Sequence, residues 1–194
     1  MAEFRHETER LILRDWRDED WPHFWEGTNT PAVMRWLGGV CDAAKRQAAQ
    51  ERLLSYESEH GHTFWVLERK DDGELLGFCG LKRSNMAGGP IDMMEIGWRL
   101  REDAWGKGYA REAALAARDL AFDRFGAEDL IALTVQGNEG SWGLMKRLGM
   151  RRREDLDFAS SEFDSNDNGV DAATIIVFAM DRVDRDALHS EAHG

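Results

Sequence analysis

Two periods of apolar residues run along this chain, and the switches between them outline its elements. Residues 10–16, with Leu11 and Leu13 two apart on either side of Ile12 and flanked by Arg10 and Arg14, read as an opening strand. Asp18-Glu19-Asp20-Trp21-Pro22 then opens a helix, with acids in its first turn and Trp21, Phe24 and Trp25 on one face. Asp42 is an N-cap for a second helix reaching to about residue 59, where Ala49, Leu53 and Tyr56 fall at helical spacing. Residues 63–68 are rich in strand formers, Asp72-Gly73 signals a tight turn, and residues 75–81 return, so an antiparallel hairpin is predicted. Another strand is expected over 93–100. The clearest helix spans 109–125: Ala110, Ala113, Ala114, Ala117, Ala121 and Phe125 form one stripe, and Gly126 ends it. Residues 130–135 are nearly all apolar, the mark of a strand buried on both faces. A short helix over 138–148 is capped by Asn138 and closed by Gly149, and a last strand over 173–180 follows a polar loop. Helices interleaved with strands argue for a mixed α/β (α+β) sheet, expected to hold about 6–7 strands with about four helices.

The length, 194 residues, fits one domain, read here as 1–183 with a flexible tail over 184–194. A hydrophobic share of 42% supports a core, and no run approaches the roughly 18 apolar residues of a membrane span. The first residues lack the apolar stretch of a signal peptide. Cys41 and Cys79 have neither CxxC spacing nor a second pair, which suits free thiols in a reducing cytoplasm. A formal charge of −12 opposes nucleic-acid binding and favours cationic partners. His60-Gly61-His62 is too cramped for a structural metal site, His189 and His193 fall in the expected tail, and no HExxH or GxSxG motif occurs, so no metal is expected. Nothing in the pattern separates a monomer from a homodimer.

The sharpest chemical feature is Trp105-Gly106-Lys107-Gly108-Tyr109-Ala110, between a strand and the long helix. Glycines bring backbone close to a ligand, and a helix N-terminus offers unpaired N–H groups and a positive dipole end. Together they suit a phosphate or pyrophosphate. The spacing rules out a Walker A loop, and Arg111 stands where a dinucleotide fingerprint needs a small residue. These six residues alone leave a phosphate-bearing ligand and an ordinary strand-to-helix turn both open.

A second motif, Asn138-Glu-Gly-Ser141-Trp-Gly-Leu144-Met-Lys-Arg-Leu148-Gly149-Met150, follows the buried strand. With it the chain resembles the GNAT superfamily, especially the branch of ribosomal-protein N-terminal acetyltransferases (the RimJ/RimL type). Gly108 and Ala110 match the family's R/Q-x-x-G-x-G/A loop, Asn138 through Met150 match its N-x-x-S-x-x-L-x-x-x-L-G-M/F segment, and Thr8–Arg14 resembles its first strand. Trp105 stands where the family usually has Arg or Gln. The resemblance implies a largely antiparallel sheet with a splayed central pair, and acetyl-CoA as co-substrate. It further implies that Trp98 and Leu100 pair their backbone with the pantetheine arm, and that Trp105, Gly106, Lys107, Gly108, Tyr109 and Ala110 make the pyrophosphate loop. Asn138 would bond the pantetheine chain as well as cap its helix. Ser141 is either the acid for the leaving thiolate or a capping-turn serine. Glu95 is either a general base acting through water or a strand carboxylate facing solvent or an arginine. The acceptor is expected to be a primary amine, of a peptide N-terminus or a small molecule. The acidic run of Glu154, Asp155, Asp157, Glu162, Asp164, Asp167 and Asp171 is either an anionic rim for a cationic amine or a solvated loop. Two other readings predict different behaviour: a non-catalytic acyl-CoA-binding module would bind without thiol release, and an interaction protein built on Trp21, Trp25 and Trp36 would not bind CoA.

Overall fold

The strand-like segments assemble into one sheet in the computed structural model, which describes residues 3–160 and 173–191. The strands are β1 (Arg5–Glu7), β2 (Leu11–Arg14), β3 (Phe64–Arg69), β4 (Leu75–Arg83), β5 (Met94–Leu100), β6 (Asp129–Val135), β7 (Arg151–Arg152), β8 (Phe158–Ser160) and β9 (Ala173–Asp181). The helices are α1 (Asp20–Thr28), α2 (Pro31–Met34), α3 (Ala43–His60), α4 (Tyr109–Asp123), α5 (Glu139–Arg147) and α6 (Arg182–Glu191). Sheet order is β1-β2-β3-β4-β5-β6-β9-β7, with β8 also on β9. Every pairing is antiparallel except β5 with β6. That parallel pair is joined through α4, a β-α-β crossover.

One face of the sheet carries α4, α5 and α6. Ala113, Ala114, Ala117 and Ala121 of α4 are fully buried against Leu81, Met94, Ile96 and Leu130, and their small side chains let the helix lie close to the strands. The opposite face carries α1 and α3, where Trp16, Trp21, Phe24, Trp25, Leu53 and Tyr56 pack over Val66. Beyond them Trp36 joins Ile131, Val135 and Ile175 in a third cluster. A buried ion network ties α1 to the sheet: Arg14 holds Asp20 with two bonds, 2.7 and 2.8 Å, and Glu68 with a third at 2.7 Å.

The main elements follow the sequence pattern within a residue or two. Asp42 caps α3 by accepting from the Lys45 N–H, and Gly73, Gly126 and Gly149 all have positive φ where turns or helix ends were expected. The sheet is larger than the expected six or seven strands, and the helices number six among the described residues. The additions are short: β1, β7 and β8 are edge strands of two or three residues, and α2 is a single turn capped by Thr30 with Pro31 at its start. Residues from 182 to 191, largely given to a tail above, form α6; Leu188 packs on Gly149 and Arg185 pairs with Asp123. Glu162, Asp164, Asp167, Asp171 and His193 lie outside the described residues.

Candidate active site

The central parallel pair comes apart. β5 meets β6 only at Met94 with Leu130 and Glu95 with Ile131, while β6 stays paired with β9 as far as Val135. From Ile96 to Leu100, β5 keeps β4 on one side and opens a wedge on the other. The Arg101 N–H donates to the Leu76 carbonyl at 2.9 Å, so Arg101 faces β4. Backbone groups alternate sides along a strand, so Trp98 and Leu100 turn theirs into the wedge. Leu100 is not wholly open, because its carbonyl accepts from the Trp105 indole at 2.9 Å. The tryptophan thus braces the strand end with its N–H and leaves half of its surface in solvent.

The glycine loop sits beyond the end of β5. Gly106 and Gly108 have φ of 71° and 83°, and Gly108 is the N-cap of α4, so the exposed first turn points its unpaired N–H groups outward. The sequence reading missed the brace beneath this loop. Arg10 donates to the Lys107 carbonyl at 3.0 Å and lies over the Tyr109 ring at 4.6 Å. Glu112 holds Arg10 in turn, accepting from its N–H and its Nε, both at 2.7 Å, and from the Thr8 hydroxyl at 2.6 Å. Burial raises the Glu112 carboxyl, but these bonds from Thr8 and Arg10 outweigh it and hold the group below its ordinary range. In the sequence, Thr8 and Arg10 carry only the first-strand likeness of Thr8–Arg14, which assigns no role to either side chain.

Across the wedge, α5 begins at the end of β6. Asn138 caps it, its Oδ1 accepting from the Ser141 N–H at 3.3 Å; its Nδ2 has no protein partner among the described residues. The Ser141 hydroxyl is half-buried and likewise makes no hydrogen bond there. Gly137 is fixed by space, since a Cβ would sit 2.7 Å from the Trp36 ring.

Alternation on β5 sends Glu95, Gly97 and Arg99 to the face away from α4. Glu95 is buried and pairs with Lys82 at 3.1 Å. Lys82 also donates to Asn85 at 2.9 Å, and Asn85 to the Tyr56 hydroxyl at 3.2 Å. At the other end, Arg99 stacks over Phe24 at 4.7 Å and Trp25 at 5.0 Å and donates to the Thr28 hydroxyl at 2.8 Å. Burial pushes its guanidinium down to about 10, slightly countered by the nearby Cys41 thiol. Parity with Glu95 was a signal for Arg99 in the sequence. Within the acidic run, Arg153 donates to Asp155 and Arg152 to Asp157, so these two acids are ion-paired. Cys41 and Cys79 are both free. Among the described residues no cluster of His, Cys, Asp or Glu is placed to hold a metal, and no helix is long and apolar enough to cross a membrane.

The strand pair splays over a glycine loop and two helix N-termini, and residues 10–151 match the acetyltransferase (GNAT) domain family. The chain belongs to that family and is an acyltransferase. It is similar to YkkB of Bacillus subtilis (strain 168), 34% identical over 146 residues that cover 74% of this chain and 83% of that one. The N-acetyltransferase YnaD of the same organism is 28% identical over 149 residues, 75% of this chain and 81% of its own. Among solved structures, the acetyltransferase from Agrobacterium tumefaciens str. C58 has a TM-score of 0.76 at 24% identity, covering 94% of this chain and 96% of that chain. The ribosomal-protein-S5-alanine acetyltransferase from Vibrio fischeri has a TM-score of 0.71 at 18% identity, over 92% and 96%. At these identities the two structures speak for the fold alone.

Proposed function

We propose that this chain is an acetyl-CoA-dependent N-acetyltransferase that acts on a primary amine. The observation that carries the reading is the wedge between β5 and β6 with the glycine loop at its mouth. The residues present suit the co-substrate. Exposed N–H groups of 106–110, with Arg10 beside them, match a pyrophosphate in charge and donor number. The open backbone of Trp98 and the N–H of Leu100 match the amides of a pantetheine arm, and the Asn138 Nδ2 is a further donor on the opposite wall. Lys107 contributes charge at the loop without a fixed contact, and Tyr109 and Ala110 contribute their N–H groups.

Acetyl-CoA supplies an activated thioester: the amine nitrogen bonds to its carbonyl carbon, the C–S bond breaks and CoA leaves as a thiolate. This chain's residues hold the partners in contact and move two protons. Glu95, paired with the Lys82 ammonium at 3.1 Å, takes the proton the amine releases, through ordered water. The Ser141 hydroxyl, which makes no hydrogen bond among the described residues, passes a proton to the thiolate and takes its replacement from solvent. The backbone N–H groups of the open β5 edge face the oxygen on which negative charge develops. The acceptor is an amine of a peptide N-terminus or a small molecule. The peptide N-terminus rests on the RimJ/RimL likeness of the Asn138–Met150 segment and the Thr8–Arg14 strand.

Thermal unfolding with acetyl-CoA, set against ADP, tests the co-substrate. A ligand that binds only the folded chain adds about 2.7 kcal/mol at a hundredfold excess over its dissociation constant. At roughly 2–4 °C per kcal/mol for a chain of this size, the melting point rises by about 5–11 °C with acetyl-CoA and much less with ADP. No rise with saturating acetyl-CoA overturns the reading.

A further inference from the structure

Arg99 is a cation built into the floor of the acceptor face and left without a carboxylate among the described residues. Its guanidinium is clamped between the Phe24 and Trp25 rings and the Thr28 hydroxyl, so its direction is fixed. Of its donors, Nη2 serves Thr28, and Nε is enclosed with no partner, as is the neighbouring Trp25 Nε1. Nη1 has no hydrogen-bond partner among the described residues either, yet it is not enclosed, so solvent reaches it. A stacked, oriented guanidinium that keeps Nη1 open to solvent can donate to an oxyanion brought to it. Burying it without one has a cost, visible in its lowered affinity for its proton.

Position narrows the ligand. Glu95 and Arg99 share a face of β5, with Cα atoms about 13 Å apart at a strand rise of about 3.3 Å per residue. Between them stands Gly97, where a Cβ would meet the Phe64 ring at 2.8 Å, so no side chain rises from β5 there and a flat aromatic ring forms the floor. One end of this floor holds the proposed base and the other holds a guanidinium. We propose that Arg99 anchors a carboxylate on the acceptor, which makes the acceptor class compact amines that carry a carboxylate, of amino-acid type. The proposal rests on the acetyl-transfer reading for the amine end alone. The ion pairs of Asp155 and Asp157 with Arg153 and Arg152 agree with it, since they leave those two acids little free charge to attract a purely cationic amine.

The test is thiol release from acetyl-CoA with the α-amino acids, their carboxamides, alkylamines lacking the carboxylate, and short peptides with amidated C-termini. The expected result is a kcat/KM for the best amino acid about tenfold or more above that of its carboxamide, the scale of a charge-assisted hydrogen bond. In Arg99→Gln that preference disappears, and in Arg99→Lys part of it returns. Equal use of acid and carboxamide, transfer confined to amidated peptides, or a preference that survives in Arg99→Gln overturns the proposal and leaves acetyl transfer standing. A lower melting point in Arg99→Gln with an unchanged preference means that Arg99 only supports the end of α1, and also overturns it. Should no amine release thiol, ligand-observed NMR of the same compounds with CoA present gives the answer. Carboxylate-dependent binding that is lost in Arg99→Gln upholds the site while the transfer reading fails, and its absence overturns the site.

Discussion

Replacing Glu112 by Gln isolates the brace under the glycine loop. The side chain keeps its shape but loses its charge, and its amide nitrogen turns toward the Arg10 Nε that the carboxylate now accepts at 2.7 Å. The bonds from the Thr8 hydroxyl and the Arg10 N–H, both to Oε1, survive in neutral form. Hydrogen bonds to a charged group are worth about 1.5–3 kcal/mol each. With Glu112 only 16% exposed and Arg10 42% exposed, we expect a loss near the low end, about 2 kcal/mol. That corresponds to a fall of about 4–8 °C in melting point for a chain of this size. Arg10 then no longer holds the Lys107 carbonyl, and acetyl-CoA binds about three- to tenfold more weakly, up to about 1.4 kcal/mol. The sign with pH follows from the lowered carboxyl of Glu112. Its contribution is complete above the unfolded-state carboxylate range and is lost as pH falls through the depressed folded value. Urea unfolding of wild type and variant from pH 7 to pH 3, with calorimetric titration of acetyl-CoA at pH 7, measures both effects. A variant as stable as wild type at pH 7, or a difference that does not shrink on acidification, refutes the reasoning.

Three further outcomes are expected. Glu95→Gln lowers kcat about a hundredfold or more and removes the acidic limb of its pH profile, as loss of a positioned base does, while Ser141→Ala costs less; an unchanged limb in Glu95→Gln removes the base role. Gly137→Ala drives a Cβ to 2.7 Å from Trp36, and overpacking of that kind costs about 1–3 kcal/mol, read as a lower urea midpoint; an unchanged midpoint means the turn into α5 gives way freely. Burial pushes the His62 imidazole down, against its bond to the Leu81 carbonyl. Its stabilisation is therefore complete above the unfolded value of 6.5 and lost as pH falls through the depressed folded value, so His62→Gln flattens stability against pH in that window; equal slopes contradict it.

Elements with a strong local signal were legible in the sequence. The alanine stripe of α4, the Asp72-Gly73 turn and the Asp42 and Asn138 caps each fix a local geometry that packing then keeps. The short edge strands had no such signal. Arg151 and Arg152 are strand only because β9 offers them an edge, a tertiary cause that no local propensity encodes. The segment of α6 is so charged that it reads as a tail, yet Arg185 and Leu188 find Asp123 and Gly149 far away in sequence. In the site, the loop and the α5 motif were readable because glycine and capping spacing is short-range. The Arg10–Glu112 brace and the Lys82–Glu95 pair were not, since each joins residues on different elements. Arg99 was within reach through parity on β5, but that it meets no carboxylate among the described residues is visible only in three dimensions.

The central claim is that the wedge delivers an acetyl group to an amine. Its most direct measurement is thiol release by the purified protein with acetyl-CoA and a panel of primary amines, with mass spectrometry of the products. Thiol is expected in equal amount to a product carrying one added acetyl group on nitrogen, with both lost in a Gly108→Val variant. Binding of acetyl-CoA with no amine-dependent thiol release across the panel would contradict it.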